Sequence, residues 1–328
     1  WDGYGTADRN NYGRTSTDWG AYPEADSLMP DFQSANWVIE RLHRTYDKPF
    51  FLGVGFLRPH VPWYVPEKWF DMHPLEELEA MTPYNKNDLD DVPEIALQIN
   101  DLPMMPSTEW AIENGEWDNI IQAYLACVSF VDHQVGRVLK ALKESNYADN
   151  TIIVLWSDHG YRLGEKGTFA KHALWEEATN APLMIAAPNI PKGKTVNEPV
   201  EMLSIYPTLL ELCGLPAYER NEGNSLVPLT VSENNATENF AITTFGMNNH
   251  GLRTSTFRYI RYEDGTEELY DHANDPNEWY NIADENKYHE VKLQLREQLP
   301  AINMPWAEES YYTFQPYFIK QKKTIQTP

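Results

Sequence analysis

Polar side chains follow an apolar run of the sequence at the point where it ends. Asp158 and His159 come just after residues 151–156 (TIIVLW), and Gly160 follows them. A carboxylate oxygen and an imidazole nitrogen side by side can bind one cation, and glycine allows a tight turn of the backbone beside them. The alternative interpretation takes Asp158 as a helix N-cap and His159 as an ordinary loop histidine. Local sequence leaves both interpretations open.

A second polar cluster, Arg58 to His60, follows the aromatic and apolar residues 48–56 (KPFFLGVGF). This run predicts a buried strand, and the three prolines of RPHVPWYVP predict an irregular loop after it. Ligands of open α/β sheets bind at the carboxyl ends of strands, so both clusters are candidates for a functional site. A packed, hydrogen-bonded histidine is the alternative interpretation of His60.

The elements that must position these residues alternate between helices and strands. Apolar residues recur at helical spacing over residues 117–145, and residues 181–187 form a second apolar run after 151–156. Residues 201–213 predict another helix, ended by Gly214. The pattern indicates a mixed α/β fold whose sheet is mostly parallel and sandwiched by helices, with residues 151–156 as a central strand covered on both faces.

The texture of the sequence changes after Pro216. Residues 240–245 and 252–262 predict antiparallel strands, and residues 288–299 predict a closing helix. We therefore expect two domains: residues 1–215 form an α/β domain, and residues 216–328 form a smaller α+β subdomain with antiparallel strands and a helix. Residues 75–106 are rich in Pro, Asp and Asn and predict a long excursion over the surface.

Composition excludes two classes of partner. The 328 residues carry a formal net charge of -23, which argues against nucleic acid, because affinity for a polyanion comes from Lys and Arg. No run approaches the roughly 18 consecutive apolar residues of a membrane span, so no membrane partner is expected. The polar, Gly-rich residues 1–20 predict a processed or truncated start rather than a natural one.

A longer pattern surrounds the Asp158 cluster. The stretch SDHGYRLGEKGTFAKHALWEEATNAPLMI (residues 157–185) resembles the second signature region of the type I sulfatases, in the alkaline phosphatase superfamily. The resemblance extends to GFLRPHVPWYVPEKWF, to SIYPTLLELCGLP, and to the closing pattern from RTSTFRYIRY to ELYDHANDPNEWYNIA, which together span nearly the whole chain. The RPHVPWYVP loop is similar to that of iduronate-2-sulfatase-like members of the family.

The resemblance implies a function and a role for four residues. It implies a sulfuric ester hydrolase that removes sulfate from a sulfated carbohydrate containing uronate or rhamnose. Asp158 and His159 would be ligands of a calcium ion, His60 would approach the bridging oxygen of the ester, and Lys171 would hold a sulfate oxygen. The chemistry suits these residue types, because a proton donor at a poor leaving group contributes about 10²–10⁴-fold to the rate. A fixed cation offsets charge on the nonbridging oxygens.

Other residues are candidates for substrate contact only. His172 is one, with packing or capping of the next helix as its alternative. Four more share this weaker status: Arg58, Trp63, Tyr64 and His250. By default Lys171 alone would be interpreted as a solvated surface lysine. The Asp90-Asp91 pair lies in a polar loop rather than at a strand end and is rejected as a metal site.

The sequence departs from the family pattern in two respects. The family makes a formylglycine nucleophile from a Cys/Ser-x-Pro-x-Arg motif, and it uses two further Asp ligands; this chain contains neither. Both belong to the N-terminal part of family members. We therefore expect the formylglycine to lie outside this chain, an N-terminal fragment of the same enzyme to be its partner, and the chain alone to be inactive. The resemblance implies a secreted or periplasmic enzyme.

Two alternatives remain open at this point. One is a phosphodiesterase or phosphonate hydrolase of the same superfamily, which would also place Asp and His at a strand end. The other is a relative that binds carbohydrate without catalysis.

Overall fold

A computed structural model describes residues 17–78, 83–102, 105–231, 239–307 and 315–326. Most of the polar opening stretch therefore lies outside the described residues. The chain divides into two compact units: Trp1–Thr82 with Pro103–Thr151, and Pro83–Leu102 with Ile152–Pro328. The predicted boundary between residues 215 and 216 falls inside the second unit, so the two divisions do not coincide.

The described residues form helices and strands in the following chain order. The α-helices are α1 Pro30–Leu42, α2 Glu67–Phe70, α3 Glu94–Asn100, α4 Thr108–Glu113, α5 Trp117–Lys143, α6 Glu176–Thr179, α7 Ile205–Leu212, α8 Val227–Val231, α9 His289–Glu297 and α10 Pro316–Gln326. The strands are β1 Trp19–Ala21, β2 Trp63–Val65, β3 Ile153–Trp156, β4 Leu183–Ala186, β5 Ala241–Thr244, β6 His250–Arg253, β7 Phe257–Arg261 and β8 Glu267–Asp271.

The first unit is organised around α5, which confirms the helix predicted over residues 117–145. Its apolar residues recur on one face, and Ile120, Cys127 and Phe130 are fully buried there. Helix α1 packs along α5, and so does β2. Strands β1 and β2 are parallel, with Trp19 opposite Trp63.

The strand predicted over residues 48–56 is wrong. Residues 49–57 have no regular secondary structure, and the side chain of Phe51 is 87% exposed. A strand is held by the hydrogen bonds of a neighbour, and no described strand pairs with this run. Its apolar composition favours a buried strand, but most residues of this run are exposed, since no described strand lies beside it.

Strands β3 and β4 pair only with each other among the described residues, and they are antiparallel rather than parallel. Trp156 lies opposite Leu183 and Met184 opposite Leu155, so Trp156 and Met184 lie on different faces of the pair. Their side chains are 50% and 62% exposed. Among the described residues, neither face of this strand pair is fully covered, which differs from the central strand covered on both faces that was predicted for residues 151–156.

The second unit is built on a four-stranded antiparallel sheet with the order β5-β6-β7-β8. Leu252, Tyr259 and Leu269 are fully buried between this sheet and α9. The predicted run 252–262 is a hairpin whose strands are β6 and β7. These strands and α9 confirm the antiparallel strands and the closing helix predicted for this part of the chain.

One part of the predicted surface excursion is also wrong. Residues 94–100 form α3, and Ile95, Ala96 and Ile99 are buried in the core of the second unit. A helix of seven residues contains too few turns to show a recognisable period. Within the described residues, no helix has both the length and the apolar character needed to cross a membrane.

Candidate active site

Strand β3 ends at Trp156 and delivers Asp158 and His159 beside each other. Nδ1 of His159 lies 2.7 Å from the carbonyl oxygen of Gly160, so Nδ1 carries the hydrogen, because a carbonyl only accepts. In the tautomer with its hydrogen on Nδ1, the ring has its lone pair at Nε2, which lies 3.4 Å from Oδ2 of Asp158. Two electron-rich atoms this close favour a proton or a cation between them. The pair has the arrangement of two adjacent ligands.

The turn after this pair is packed so tightly that only glycine fits at position 160. The Gly160 N–H donates to the Ala178 carbonyl at 3.0 Å. A Cβ at this position would lie 2.2 Å from the carbonyl oxygen of Glu177 and 2.5 Å from that of Asn180. Both are backbone atoms, which cannot rotate away. Helix α6 therefore sets the path of the chain where it leaves β3.

Lys171 lies at the same cavity as Asp158 and His159. It is half-buried rather than a freely solvated surface lysine. Burial lowers the pKa of Lys171, and the Asp158 carboxylate opposes that shift. Just before Lys171, the Ala170 carbonyl accepts a hydrogen bond of 2.9 Å from the Arg162 N–H.

These residues line a cavity of about 1090 Å³ in the second unit. His172 also lines it, and its ring is stacked on Phe245 with the centroids 6.0 Å apart and the planes at 24°. Small-ligand sites span roughly 300–1000 Å³, so this cavity is slightly larger than that range. The structure thus brings together four sequence-predicted residues: Asp158, His159, Lys171 and His172.

Three residues of the cavity wall, Glu176, Arg253 and Arg258, belong to a charge cluster that the sequence did not suggest. Glu176 accepts from Arg253 Nε at 3.1 Å and from Arg258 Nη2, and Arg258 Nε lies 2.8 Å from Oε1 of Glu278. His272 Nε2 donates to Glu278 at 2.9 Å, and its Nδ1 accepts from Arg253 Nη2 at 2.9 Å. The hydrogen of the His272 ring lies on Nε2 in this arrangement, since a carboxylate cannot donate and a guanidinium cannot accept. We call Glu176, Arg253, Arg258, His272 and Glu278 the Arg-Glu cluster.

Burial alone would raise the pKa values of both cluster carboxylates, but the guanidinium groups outweigh it. Arg258 and Arg253 lower the pKa of Glu176, and Arg258 together with His272 lowers that of Glu278. Both glutamates are therefore ionised, and two negative charges balance two positive ones. The cluster is neutral in sum and fully hydrogen-bonded in its carboxylates.

Lys166 is a second buried charge that sequence reasoning missed. Its side chain is 2% exposed, with Nζ 2.5 Å from Oδ1 of Asp88 and also bonded to the backbone carbonyl of Glu278. The rings of Trp175 and Tyr270 lie 5.6 Å and 5.2 Å from Nζ. The Leu-Gly-Glu-Lys-Gly motif pointed to this loop, but a lysine is exposed by default and nothing in the motif indicates burial.

The described residues offer two different places for a metal ion. Glu176, His272 and Glu278 bring three ligand atoms within 4.8 Å of one another. Arg253 and Arg258 already neutralise these groups, so a cation would have to displace a guanidinium. Asp158 and His159 have no such competitor and fit a cation with an oxygen and a nitrogen. Calcium takes six to eight mainly oxygen ligands, so these two would be a minority of its ligand set.

In the first unit, Arg58 is buried and bonded to the protein backbone. Its Nε donates to the Tyr64 carbonyl at 2.9 Å and its Nη1 to the His60 carbonyl at 3.1 Å. The backbone N–H groups of Leu57 and Arg58 donate to the Asp31 carboxylate at 2.6 Å and 3.0 Å. Arg58 therefore holds its own loop in shape, and its role as a substrate contact is untested.

His60 lies at the surface of that loop. Its Nδ1 is 2.8 Å from the Val61 carbonyl and therefore carries a hydrogen, which leaves Nε2 as the nitrogen that gains or loses a proton. Trp63 and Tyr64, by contrast, are buried in β2. The Trp63 indole donates to the Pro59 carbonyl at 2.8 Å, and the Tyr64 hydroxyl donates to Asp18.

His250 is buried in β6 and contacts Thr244 and Asn303 through its two ring nitrogens, at 2.9 Å and 2.6 Å. Burial lowers its pKa, although the hydrogen bond that Nε2 donates to Oδ1 of Asn303 opposes the shift. This position suits a packed histidine, and substrate contact stays a prediction. Of the rejected pair, Asp91 accepts from the Asn281 N–H at 2.8 Å.

Comparison with known proteins identifies the family. The sequence profile of the family described as Sulfatase matches residues 5–215, and that described as N-sulphoglucosamine sulphohydrolase, C-terminal, matches residues 164–305. A protein of Formosa agariphila named Sulfatase is 63% identical over 98% of this chain and 64% of its own length. Iduronate 2-sulfatase of Mus musculus is 33% identical over 60% of this chain and 42% of its own length. The chain thus spans less than two thirds of these relatives.

Solved structures share the fold. A phosphonate monoester hydrolase of Agrobacterium radiobacter matches with a TM-score of 0.71 and 24% identity, over 86% of this chain and 63% of its own. A 2-O GAG sulfatase matches with a TM-score of 0.64 and 23% identity, over 85% and 65%. They confirm the predicted mixed α/β, alkaline phosphatase-like fold class. Together, the profile match and the relatives show that this chain belongs to the type I sulfatase family of the alkaline phosphatase superfamily.

Proposed function

We propose that the protein containing this chain hydrolyses sulfate esters of carbohydrates. The observation that supports the proposal is the convergence of Asp158, His159 and Lys171 on one cavity of the second unit. A sulfate ester needs positive charge at its nonbridging oxygens and a proton at its leaving oxygen. Lys171 supplies the first directly, in a half-buried position where electrostatic attraction is less screened by water.

Asp158 and His159 would hold a calcium ion together with oxygen ligands from outside this chain. A bound calcium ion neutralises charge that develops on the sulfate oxygens. Within this chain, the Gly160 carbonyl holds His159 in the tautomer whose Nε2 can act as a ligand. The formylglycine nucleophile of the family would likewise lie outside this chain, which has no Cys/Ser-x-Pro-x-Arg motif.

His60 would donate the proton to the leaving oxygen. The Val61 carbonyl fixes the ring through Nδ1, so that the protonated imidazole offers the Nε2 proton to the substrate. A sugar alkoxide is a poor leaving group, and its departure depends on such a donor.

The proposed substrate class is a sulfated polysaccharide or oligosaccharide with uronate or rhamnose units. A relative named iduronate 2-sulfatase and a fold neighbour solved in complex with D-glucosamine-2-N,6-O-disulfate support a sulfated sugar. The cavity of about 1090 Å³ has room for a group of that size. A substrate of this class fits a secreted or periplasmic enzyme.

The likeness to a phosphonate monoester hydrolase makes phosphonate or phosphate esters the second candidate substrate. The test is hydrolysis of nitrophenyl sulfate, nitrophenyl phosphate and a nitrophenyl phosphonate by the intact protein. We expect the highest kcat/KM for the sulfate, a large loss in Lys171→Ala, and no loss in Lys192→Ala, whose exposed lysine is the matched control. Preference for the phosphonate would favour the second candidate. Binding of sulfated sugar without turnover would favour a non-catalytic carbohydrate-binding relative.

A further inference from the structure

Glu278 contacts both chain segments that flank Lys171. Its carboxylate Oε2 accepts from the Glu176 N–H at 2.9 Å, and its backbone carbonyl accepts from the buried Nζ of Lys166. Lys166 belongs to the loop before Lys171, and Glu176 begins the helix after it. Glu278, from the C-terminal part of the chain, thus holds both the segment before Lys171 and the segment after it.

Arg258 completes the attachment on the far side of Lys171. Its Nη1 donates to the Leu174 carbonyl at 3.2 Å, while its Nε lies 2.8 Å from Glu278. Leu174 and Trp175 are buried, and the Trp175 indole donates to Glu268 at 2.8 Å. Residues 174–176 are therefore bound through a carbonyl, an N–H and a side chain to the β6-β7-β8 sheet and to Glu278 in the segment that follows it.

The backbone conformation of the two contacting residues is uncommon. Lys166 has φ 51° and Glu278 has φ 55°. Both values lie in the left-handed region, which residues other than glycine rarely adopt. The contacts around them keep both residues in this conformation. Such positions persist when the surrounding structure determines them strongly, and they cluster at functional sites.

We propose that Glu278 is a positioning residue for Lys171, so that the C-terminal sheet sets the place of the cation that binds the sulfate oxygen. This inference rests on the proposed role of Lys171. Glu278 does not line the cavity itself and acts through residues 174–176 and Lys166. A buried carboxylate that accepts from a backbone N–H and a histidine and is also ion-paired with a guanidinium is held far more rigidly than in a single ion pair.

A double-mutant cycle in the intact protein tests the proposal, with kcat/KM for nitrophenyl sulfate as the readout. The variants are Glu278→Gln, Lys171→Ala and the two together. If Glu278 acts through Lys171, Glu278→Gln lowers kcat/KM by about tenfold in the parent protein and by less than about twofold when Lys171 is already alanine. Glu267→Gln is the matched control. Glu267 lies on β8 and forms ion pairs with Lys292 and Arg296 of α9 rather than with the segments that flank Lys171.

Equal losses from Glu278→Gln on both backgrounds would overturn the proposal and leave Glu278 with a purely structural role. A folded Glu278→Gln protein with the parent rate would overturn it as well. A parent rate in Lys171→Ala would overturn the proposed role of Lys171 and this inference with it. A loss in Lys171→Ala combined with equal losses from Glu278→Gln would overturn the inference alone.

A second variant gives the same test if Glu278→Gln does not fold. Gly251 lies on β6, where an added Cβ would be 3.3 Å from the Leu174 carbonyl oxygen. Gly251→Ala therefore pushes residues 174–176 by a few tenths of an ångström without removing a charge. We expect its loss of kcat/KM to disappear in the Lys171→Ala background as well. A loss that persists undiminished there would overturn the proposal.

Discussion

The proton donor and the fixed cation of the proposed site differ in which substrates need them. His60 carries a proton on Nε2 only when it is ionised, and this proton is useful only to a leaving group that departs poorly. In the proposed site, Lys171 would attract the sulfate group of any ester. The two residues can therefore be separated by the choice of leaving group.

We predict that His60→Ala lowers kcat/KM for a sugar sulfate by about 10²–10⁴-fold and has little effect on nitrophenyl sulfate, whose phenolate leaves unaided. Lys171→Ala lowers kcat/KM for both substrates by about 10²-fold or more. The comparison of kcat/KM measures the loss of transition-state stabilisation directly. His43→Ala removes another exposed histidine of the first unit and is expected to match the parent protein.

Equal losses on both substrates in His60→Ala would exclude it as the acid. A loss confined to the sugar sulfate in Lys171→Ala would mean that the two roles are reversed.

The sequence identified residues that sit at loop positions within recognisable motifs, such as Asp158 and Lys171. It did not identify Glu278 or Lys166, although both lie within the motifs that carry the family resemblance. Their importance comes from burial and from contacts about a hundred residues apart along the chain. A charged residue in a motif does not indicate whether it will be exposed or enclosed.

At the scale of elements, the site depends on the contacts between the end of β3, the turn that follows it, and helix α6. The Ser157 N–H donates to the Pro182 carbonyl at 3.2 Å, and the Gly160 N–H donates to the Ala178 carbonyl at 3.0 Å. The first contact joins the end of β3 to the segment between α6 and β4, and the second joins the turn after β3 to α6 itself. The positions of Asp158 and His159 are therefore set by backbone packing and not by their own side chains.

We predict that Gly160→Ala lowers the free energy of unfolding by about 3 kcal/mol, because its Cβ would overlap two backbone carbonyls that cannot move independently. Gly136→Ala is the matched control: Gly136 lies in α5 with nothing within 4 Å of an added Cβ. Alanine is the better helix former, so that change should raise stability by about 0.5–1 kcal/mol. Urea unfolding of both variants measures the difference. Parent stability in Gly160→Ala would contradict the packing described for this turn.

A long helix with a regular apolar period and a hairpin of neighbouring strands could be predicted from the sequence. Elements that depend on a partner distant in the sequence could not. Helix α5 has many turns on one apolar face, and the β6-β7 hairpin is local in sequence. The run at residues 48–56 reads as a strand by composition, yet a strand forms only beside a neighbour that can complete its hydrogen bonds. Helix α3 is too short to reveal its own period.

For the whole molecule, the chain corresponds to 64% of the length of its Formosa agariphila relative. Large apolar residues are exposed in both units. Phe51 lies in an irregular segment of the first unit, and Trp156 and Met184 lie on β3 and β4 of the second. Exposed apolar surface and open strand edges favour association with further chain. We propose that an N-terminal fragment of the same enzyme covers them and supplies the formylglycine and the remaining calcium ligands.

Calcium content measured together with turnover of a sulfate ester is the most direct test of this proposed site. We predict that the intact protein binds calcium and hydrolyses the ester, that Asp158→Ala loses both properties together, and that residues 1–328 alone show neither full activity nor full calcium binding. The coupled loss is expected because Asp158 would supply a charged ligand to the proposed calcium ion. An Asp158→Ala protein that keeps its calcium and a near-parent rate would contradict the assignment of the site, and a fully active, stable monomer of residues 1–328 would contradict its completion from outside this chain.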